Sequence, residues 1–390
     1  MRKIRMGMVG GGDGAFIGAV HRIAAAMDSR VELVCGCFSG DPERALSSGQ
    51  ALGLETDRVY SDYHTMMGME AALAADRRMD FVTIVTPNHL HLPVAKAAFE
   101  QGFHVLSDKP ATLNLAEMKE LMAVAESSGK LYGLTHTYLG YPMVQEARQR
   151  VERGELGTIR KLIVEYSQGW LAAADDPNNK QAAWRIDPRQ AGESCCMADI
   201  GSHAFNLAEA ISGLKVTELC ADIGPLVPGR QLDDDGTAML RFDNGARGVL
   251  IASQVSVGEE NNLQIRIYGD RGGLQWQQEQ PNSLKLMYND QPAQIVRTGW
   301  SGTSEASCSL TRTPAGHPEG YLEAFANLYL QFAERIAASE EGRPPAGLAS
   351  SMPGLSDAYR GMAFIEAVVA ASAGGDKWHS LKDHPGNTEA

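Results

Sequence analysis

The chain has 390 residues, with 41 Gly, 17 Pro and 44% hydrophobic side chains, which suits two or three packed domains and excludes a mainly disordered chain. Its formal net charge of −13 argues against nucleic acid or another polyanion as a partner. No apolar run approaches the roughly 18 residues of a membrane span, and the basic residues 1–6 run into a Gly-rich turn without the apolar stretch of an export signal.

The first third alternates short apolar runs with amphipathic stretches. Strands are predicted at residues 5–9, 31–37, 81–85, 104–106 and 130–134, with helical periodicity between them. Val94, Ala97 and Ala98 fall on one stripe of a predicted helix over 93–101. Asn114-Leu115-Ala116-Glu117 has the form of a capping box, and Leu115, Met118, Leu121, Met122 and Ala125 follow at helical spacing. This alternation predicts right-handed βαβ units and a parallel sheet covered on both faces. Cys35 and Cys37 alternate on the second strand, where Cys acts as a small core hydrophobe. No Cys-x-x-Cys pair occurs among the six cysteines, so no metal is expected, and unpaired thiols point to a reducing cytoplasm.

Between the first strand and the first helix lies Gly10-Gly11-Gly12-Asp13-Gly14-Ala15-Phe16-Ile17. Gly10-x-Gly12-x-x-Ala15 fits the dinucleotide fingerprint: backbone N–H groups approach a pyrophosphate, and the helix N-terminus favours its charge. The second strand ends where an acidic residue usually marks NAD. Here the position is Ser39, which has no charge to repel the 2′-phosphate of NADP. Arg44, one turn into the next helix, either reaches such a phosphate or is an exposed residue of a helix capped by Asp41. NAD and NADP both stay open. Thr86-Pro87-Asn88-His89-Leu90-His91 follows the third strand and Asp108-Lys109 the fourth, at carboxyl ends where ligands of open α/β sheets bind. His91 either faces the ligand or packs a helix start. A lysine beside a carboxylate and a dinucleotide, as Lys109 would be, suits proton relay.

The character changes after about residue 136. A helix is predicted over 142–153, and strand-like alternation then dominates from 158 to about 296. Asn244-Gly245 between two strand candidates is a hairpin signal. Two helices close the chain, over about 319–338 and 356–371. This half predicts a large, mainly antiparallel sheet with one wet face. Within it stands Asp199-Ile200-Gly201-Ser202-His203. On a helix, Asp199 and His203 share a face. A histidine can take the proton of an alcohol, and a carboxylate nearby can orient it. The bland alternative is a surface ion pair of small effect.

The order Gly-rich loop, Thr-Pro-Asn-x-x-His, Asp-Lys-Pro, Asp-x-Gly-x-His resembles the glucose–fructose oxidoreductase and inositol dehydrogenase (Gfo/Idh/MocA) family over nearly the whole chain. The resemblance implies a doubly wound Rossmann domain over 1–136 and an α+β domain with a large open sheet over 137–390, which binds substrate and often mediates oligomerisation, here as a homodimer or homotetramer. It maps the family's catalytic lysine onto Lys109 and its Asp and His onto Asp199 and His203. Trp184-Arg185 resembles a segment that reaches the sugar site, and His317, in Gly316-His317-Pro318-Glu319-Gly320-Tyr321, either reaches that site or starts a helix. The implied activity is NAD(P)-dependent oxidation of a secondary hydroxyl on a sugar, cyclitol or glycoside. An NAD-dependent glycosidase and a non-catalytic NAD(P)-sensing regulator are alternatives within the same resemblance. Three departures stand out: Asp108 where Glu is common, Gly14-Ala15-Phe16 as an insertion before Ile17-Gly18-Ala19-Val20-His21, and Ser39 at the ribose position.

Overall fold

The computed structural model describes residues 2–173 and 180–381. The chain divides into two compact units, Met1–Thr137 with Phe325–Ala358, and Tyr138–Ala324 with Tyr359–Ala390. In the first, strands β1 (Ile4–Gly10), β2 (Val31–Cys37), β3 (Phe81–Val85), β4 (His104–Ser107) and β5 (Tyr132–Leu134) form a parallel sheet in the order β2-β1-β3-β4-β5. Parallel strands need crossovers, and helices α1 (Phe16–Met27), α2 (Pro42–Ala51), α3 (Tyr63–Ala72), α4 (His91–Glu100) and α5 (Leu115–Ser128) supply them. The strand order reverses between β1 and β3, so their carboxyl ends flank the crevice where such sheets bind ligands. Asn114 caps α5 through the Glu117 N–H (2.9 Å), and the Glu117 carboxylate reaches back to the Leu113 N–H (3.0 Å). On α3, the fully buried Glu70 accepts from Arg58 Nε and Nη2, from the Tyr60 hydroxyl and from the Met79 N–H, at 2.8–3.0 Å.

The second unit begins with α6 (Pro142–Glu152) and β6 (Ile159–Ser167). The run of strands expected to continue to about 296 is interrupted here. Short helices α7 (Lys180–Arg185) and α8 (Pro188–Ala191), a π-helical turn (Met197–Gly201) and α9 (Ser202–Ser212) intervene. Side chains start these turns: Asp187 caps α8, and Asp233 accepts the N–H groups of Cys195 and Met197, both at 2.9 Å. Strands β7 (Val216–Gly224), β8 (Asp235–Phe242), β9 (Arg247–Ser253), β10 (Asn262–Gly269), β11 (Gly272–Gln277), β12 (Ser283–Tyr288) and β13 (Gln294–Arg297) follow, then α10 (Glu305–Ser309), α11 (Tyr321–Glu340), α12 (Leu355–Ala373) and β14 (His379–Ser380). Among the described residues, nine strands of this unit are ordered β13-β12-β11-β10-β6-β9-β8-β7-β14, antiparallel except for β6 beside β9. Gly245, at positive φ, closes the β8–β9 hairpin.

Strand pairing aligns one buried row across this sheet: Ala238, Leu250, Val164, Ile265, Trp276 and Leu284. The next row points to the other face as Met239, Val249, Ile163, Arg266, Gln275 and Lys285, with Met239 44% exposed. One face is therefore core and the other mixed apolar and charged. Arg360 of α12 and Glu209 of α9 form a buried ion pair, and Phe364 stacks on Phe205 at 4.5 Å.

The expected division at 136/137 assigned all later residues to one domain. Instead, Phe325–Ala358 belongs with the first unit. The reason is apolar cover: Tyr329 and Phe332 of α11 pack on Phe81 of β3 (6.4 and 5.3 Å between rings). The Leu134 N–H of β5 also donates to the Pro353 carbonyl at 3.0 Å.

Candidate active site

The β1–α1 loop is a cradle that side chains would fill. A Cβ on Gly10, whose φ is +87°, would lie 2.6 Å from the Val85 carbonyl oxygen. One on Gly12 would lie 2.6 Å from the Phe38 carbonyl oxygen. Among the described residues no side chain caps α1, whose cap residue is Ala15, and its first turn holds no acid. The amides of this turn therefore stay available to an anion, and the loop fits a pyrophosphate. Three side chains fix it. Arg22 donates to the Gly11 carbonyl (2.6 Å), Arg44 Nη2 to the Asp13 carbonyl (2.6 Å), and the Asp13 N–H donates to the Ser48 hydroxyl (3.1 Å). Asp13, Gly14 and Phe16 are exposed, and Ala15 and Ile17 half-buried.

At the end of β2, Asp41 caps α2 through the Arg44 N–H (3.1 Å), and the Ser39 hydroxyl accepts the Asp41 N–H (3.1 Å). Arg44 is thus more than an idle surface residue, since its guanidinium holds the glycine loop. His91 differs from a ligand-facing histidine. It is 1% exposed, and its Nδ1 and Nε2 lie 2.7 and 2.9 Å from the Pro110 and Thr86 carbonyl oxygens. Burial pushes its pKa down. It ties the turn holding Thr86, Pro87 and Asn88 to the turn after Lys109, and so shapes the carboxyl ends of β3 and β4 from behind.

Asp108 and Lys109 follow β4. The Asp108 carboxylate accepts from the Thr135 hydroxyl and lies 3.6 Å from Nε2 of the fully buried His21, whose Nδ1 meets the Tyr329 hydroxyl at 2.7 Å. Burial alone would raise the Asp108 pKa, but His21, Thr135 and Lys109 together hold it below its ordinary value. Next to them, burial and the Lys109 charge push His136 down to about 3. The ends of β4 and β5 therefore carry an ionised carboxylate, a lysine and a neutral histidine.

In the second unit, Asp199 sits in the π-helical turn and His203 in the first turn of α9. His203 is 9% exposed, and its ring meets the edge of Tyr138 at 4.9 Å and lies 6.3 Å from Tyr166. The two tyrosine hydroxyls are hydrogen-bonded, and that of Tyr166 donates to Asn261 Oδ1 at 2.7 Å. Asp199 Oδ2 accepts from Gln254 Nε2 (2.9 Å) and from Arg185 Nε (3.3 Å). The Arg185 guanidinium lies 4.3 Å over the Trp184 ring and 5.8 Å from that of Trp170. Arg185, expected at a sugar, is thus paired with Asp199. His317 is exposed, with Nδ1 3.3 Å from the Pro314 carbonyl oxygen, and it precedes α11 rather than starting it. The loop around it is anchored by the buried Glu319, which accepts the N–H groups of Arg312 (2.5 Å) and Thr313 (2.7 Å).

Sequence reasoning missed Thr135, His136, Tyr138, Tyr166 and Gln254 as neighbours of these groups, and met His21 only inside a motif. A usable signal existed for two of them: Thr135 and His136 directly follow a predicted strand, as do the Thr86 and Asp108 segments.

A family model for an oxidoreductase family with an NAD-binding Rossmann fold matches residues 4–136, and one for the GFO/IDH/MocA C-terminal domain matches residues 144–275. The chain is 32% identical over 388 residues to the uncharacterized oxidoreductase YfiI of Bacillus subtilis, covering 98% of each. It is 26% identical to a levoglucosan dehydrogenase of Pseudarthrobacter phenanthrenivorans, covering 97% of this chain and 98% of that protein. Its fold matches that of an inositol dehydrogenase homologue from Azotobacter vinelandii, crystallised with NAD+. The TM-score is 0.93, the identity 33%, and 97% of each chain is covered.

Proposed function

This chain belongs to the Gfo/Idh/MocA family of oxidoreductases and is an NAD(P)-dependent dehydrogenase, and on that premise we propose that it oxidises a secondary hydroxyl of a sugar, cyclitol or glycoside. The bound dinucleotide supplies the hydride acceptor. Its pyrophosphate is held by the backbone of residues 10–14 and the first turn of α1. His203 takes the proton of the substrate hydroxyl as general base. Lys109 donates a hydrogen bond to the hydroxyl oxygen and stabilises its developing negative charge. Asp199 favours and orients the protonated imidazole. The observation that carries this reading is the turn holding Asp199 and His203: a nearly buried imidazole four residues after a carboxylate that Arg185 and Gln254 hold in place. The relatives named for levoglucosan and inositol support a carbohydrate-like substrate.

Two further readings accompany it. The mixed outer face of the nine-stranded sheet, with Met239, Val249 and Ile163 in one row, is the contact of a homo-oligomer. The six cysteines are all free, four of them buried, as suits a reducing cytoplasm. Among the described residues no helix is long and apolar enough to cross a membrane.

A screen of sugars, cyclitols and glycosides with NAD and NADP, followed by nicotinamide absorbance, tests the activity. His203→Ala should lower kcat by about 10²–10⁴-fold and leave dinucleotide affinity unchanged. Full turnover in that variant would refute the role of His203, and glycoside cleavage without net nicotinamide reduction would refute a simple dehydrogenase.

A further inference from the structure

Gln254 directly follows β9 and is fully buried. Its main chain is pinned on both sides, donating to the Asp234 carbonyl (2.8 Å) and accepting the Leu171 N–H (3.0 Å). Its side chain has two polar neighbours of opposite kind. Nε2 donates to Asp199 Oδ2 at 2.9 Å, and Oε1 accepts from the Cys195 thiol at 3.5 Å. Burial, with Asp199 and Asp233 nearby, pushes the Cys195 pKa up, so that thiol stays protonated and is the donor to Oε1. A flipped amide would set oxygen against the Asp199 carboxylate, which can only accept, and would exchange the thiol's bond to oxygen for a weaker one at sulfur. The rotamer is therefore decided by its partners. Leu171, Ala182, Ala191 and Leu232 pack with Cys195 as an apolar cluster, which limits water at this end of the chain of bonds.

We infer that Gln254 is a positioning residue for the reaction: its amide, locked by Cys195, fixes the orientation of the Asp199 carboxylate. The inference rests on the reading of Asp199 and His203 given above. An amide is suited to this place for a reason beyond shape. It donates to the charged form of Asp199 and adds no charge of its own. The charged groups around it are Arg185 from α7 and Asp233 from the segment before β8, while Arg230 of that segment is paired with Asp234 at 2.9 Å. A glutamate at this position would face Asp199 as a second carboxylate, and one proton would have to be shared between the two.

The test compares Gln254→Glu, Gln254→Leu and Asp199→Asn in the full-length enzyme with bound dinucleotide, on the best substrate of the screen. Gln254→Glu should approach the native kcat/KM, compared at the same pH, only toward low pH, where the shared proton replaces the amide N–H. Its kcat/KM should then fall up to tenfold per pH unit across a range in which the native enzyme is flat. Gln254→Leu should lose about 10–100-fold in kcat at every pH, with dinucleotide affinity unchanged. Without substrate, backbone amide exchange over residues 197–203 should quicken at least tenfold in Gln254→Leu. The inference is overturned if both Gln254 variants stay within twofold of native kcat/KM with a parallel pH profile while Asp199→Asn is impaired. If Asp199→Asn is itself fully active, the catalytic reading of Asp199 fails, and the inference fails with it.

Discussion

Replacing Gly12 by alanine gives a sharp test of the dinucleotide cradle. Gly12 does not need a positive φ, so the substitution acts through space alone. The new Cβ would stand 2.6 Å from the Phe38 carbonyl oxygen and 3.1 Å from the Ser48 hydroxyl. The first of these is backbone at the end of β2 and cannot rotate away. The second already accepts the Asp13 N–H, so yielding there releases the loop. Overpacking of this kind costs about 1–3 kcal/mol. Relief requires the loop to leave the shape that presents its amides to the pyrophosphate. If that cost appears in binding, affinity falls about 5- to 150-fold. Gly14→Ala is the matched control. Its φ of +75° adds strain of roughly 1–2 kcal/mol, but the nearest atom is Arg44 Nη2 at 3.5 Å, so the loop keeps its shape. Its affinity should stay within about threefold of native while its stability drops. Titrating NADH and NADPH into the three proteins by nicotinamide fluorescence gives the ranking. Native affinity in Gly12→Ala, or equal losses in both variants, would refute the argument.

Ser39→Asp places a carboxylate where a 2′-phosphate would lie. Repulsion of at least about 1 kcal/mol should move the NADH/NADPH affinity ratio about fivefold or more toward NADH, and an unchanged ratio would show that Ser39 is not at the ribose. Glu70→Gln leaves Arg58 buried without its counter-charge and should cost about 3–5 kcal/mol in urea unfolding; a loss under 1 kcal/mol would contradict that. Burial lowers His104 to about 4 and His136 to about 3, below the unfolded value of roughly 6.5. From about pH 6.5 down to 4 the unfolded chain therefore holds more protons, and stability falls with pH by up to about 1.4 kcal/mol per unit for each. His104→Gln and His136→Gln should each flatten urea midpoints measured across that range, and an unaltered slope would refute it. Met239→Arg on the outer sheet face should reduce the assembled mass seen by light scattering, and an unaltered mass would remove that face from the contact.

Most of the parallel sheet was legible because β1, β3, β4 and β5 are buried on both faces and read as apolar runs, as at Phe81, Val82 and Ile84. The Asn114 cap and the Asn244-Gly245 hairpin were legible because their chemistry is local. The segment 180–212 was not: its helices start at Asp187 and at Asp233, and the second is more than thirty residues further along the chain. The return of Phe325–Ala358 to the first unit was hidden for a similar reason, since Tyr329 and Phe332 look like any helix core until Phe81 is known to need cover. Among the candidate residues, type pointed to Lys109, Asp199 and His203, but pairing did not follow from type. Arg185 and Gln254 meet Asp199, and His91 meets two carbonyls, because of folds in the chain that no spacing records. Gln254 had no signal of its own, being one polar residue at the end of a strand.

The path of the chain crosses from one unit to the other three times, after Thr137, Ala324 and Ala358. A single cut therefore cannot release either unit with its own core complete. A fragment ending near residue 137 would bare Phe81 and the face that Tyr329 and Phe332 cover, and would be expected to aggregate. The same interleaving bears on how such enzymes diversify. Exchange of the second unit between relatives by recombination would need three junctions to match at once. The interleaving therefore favours change by substitution within the existing frame over exchange of a whole unit.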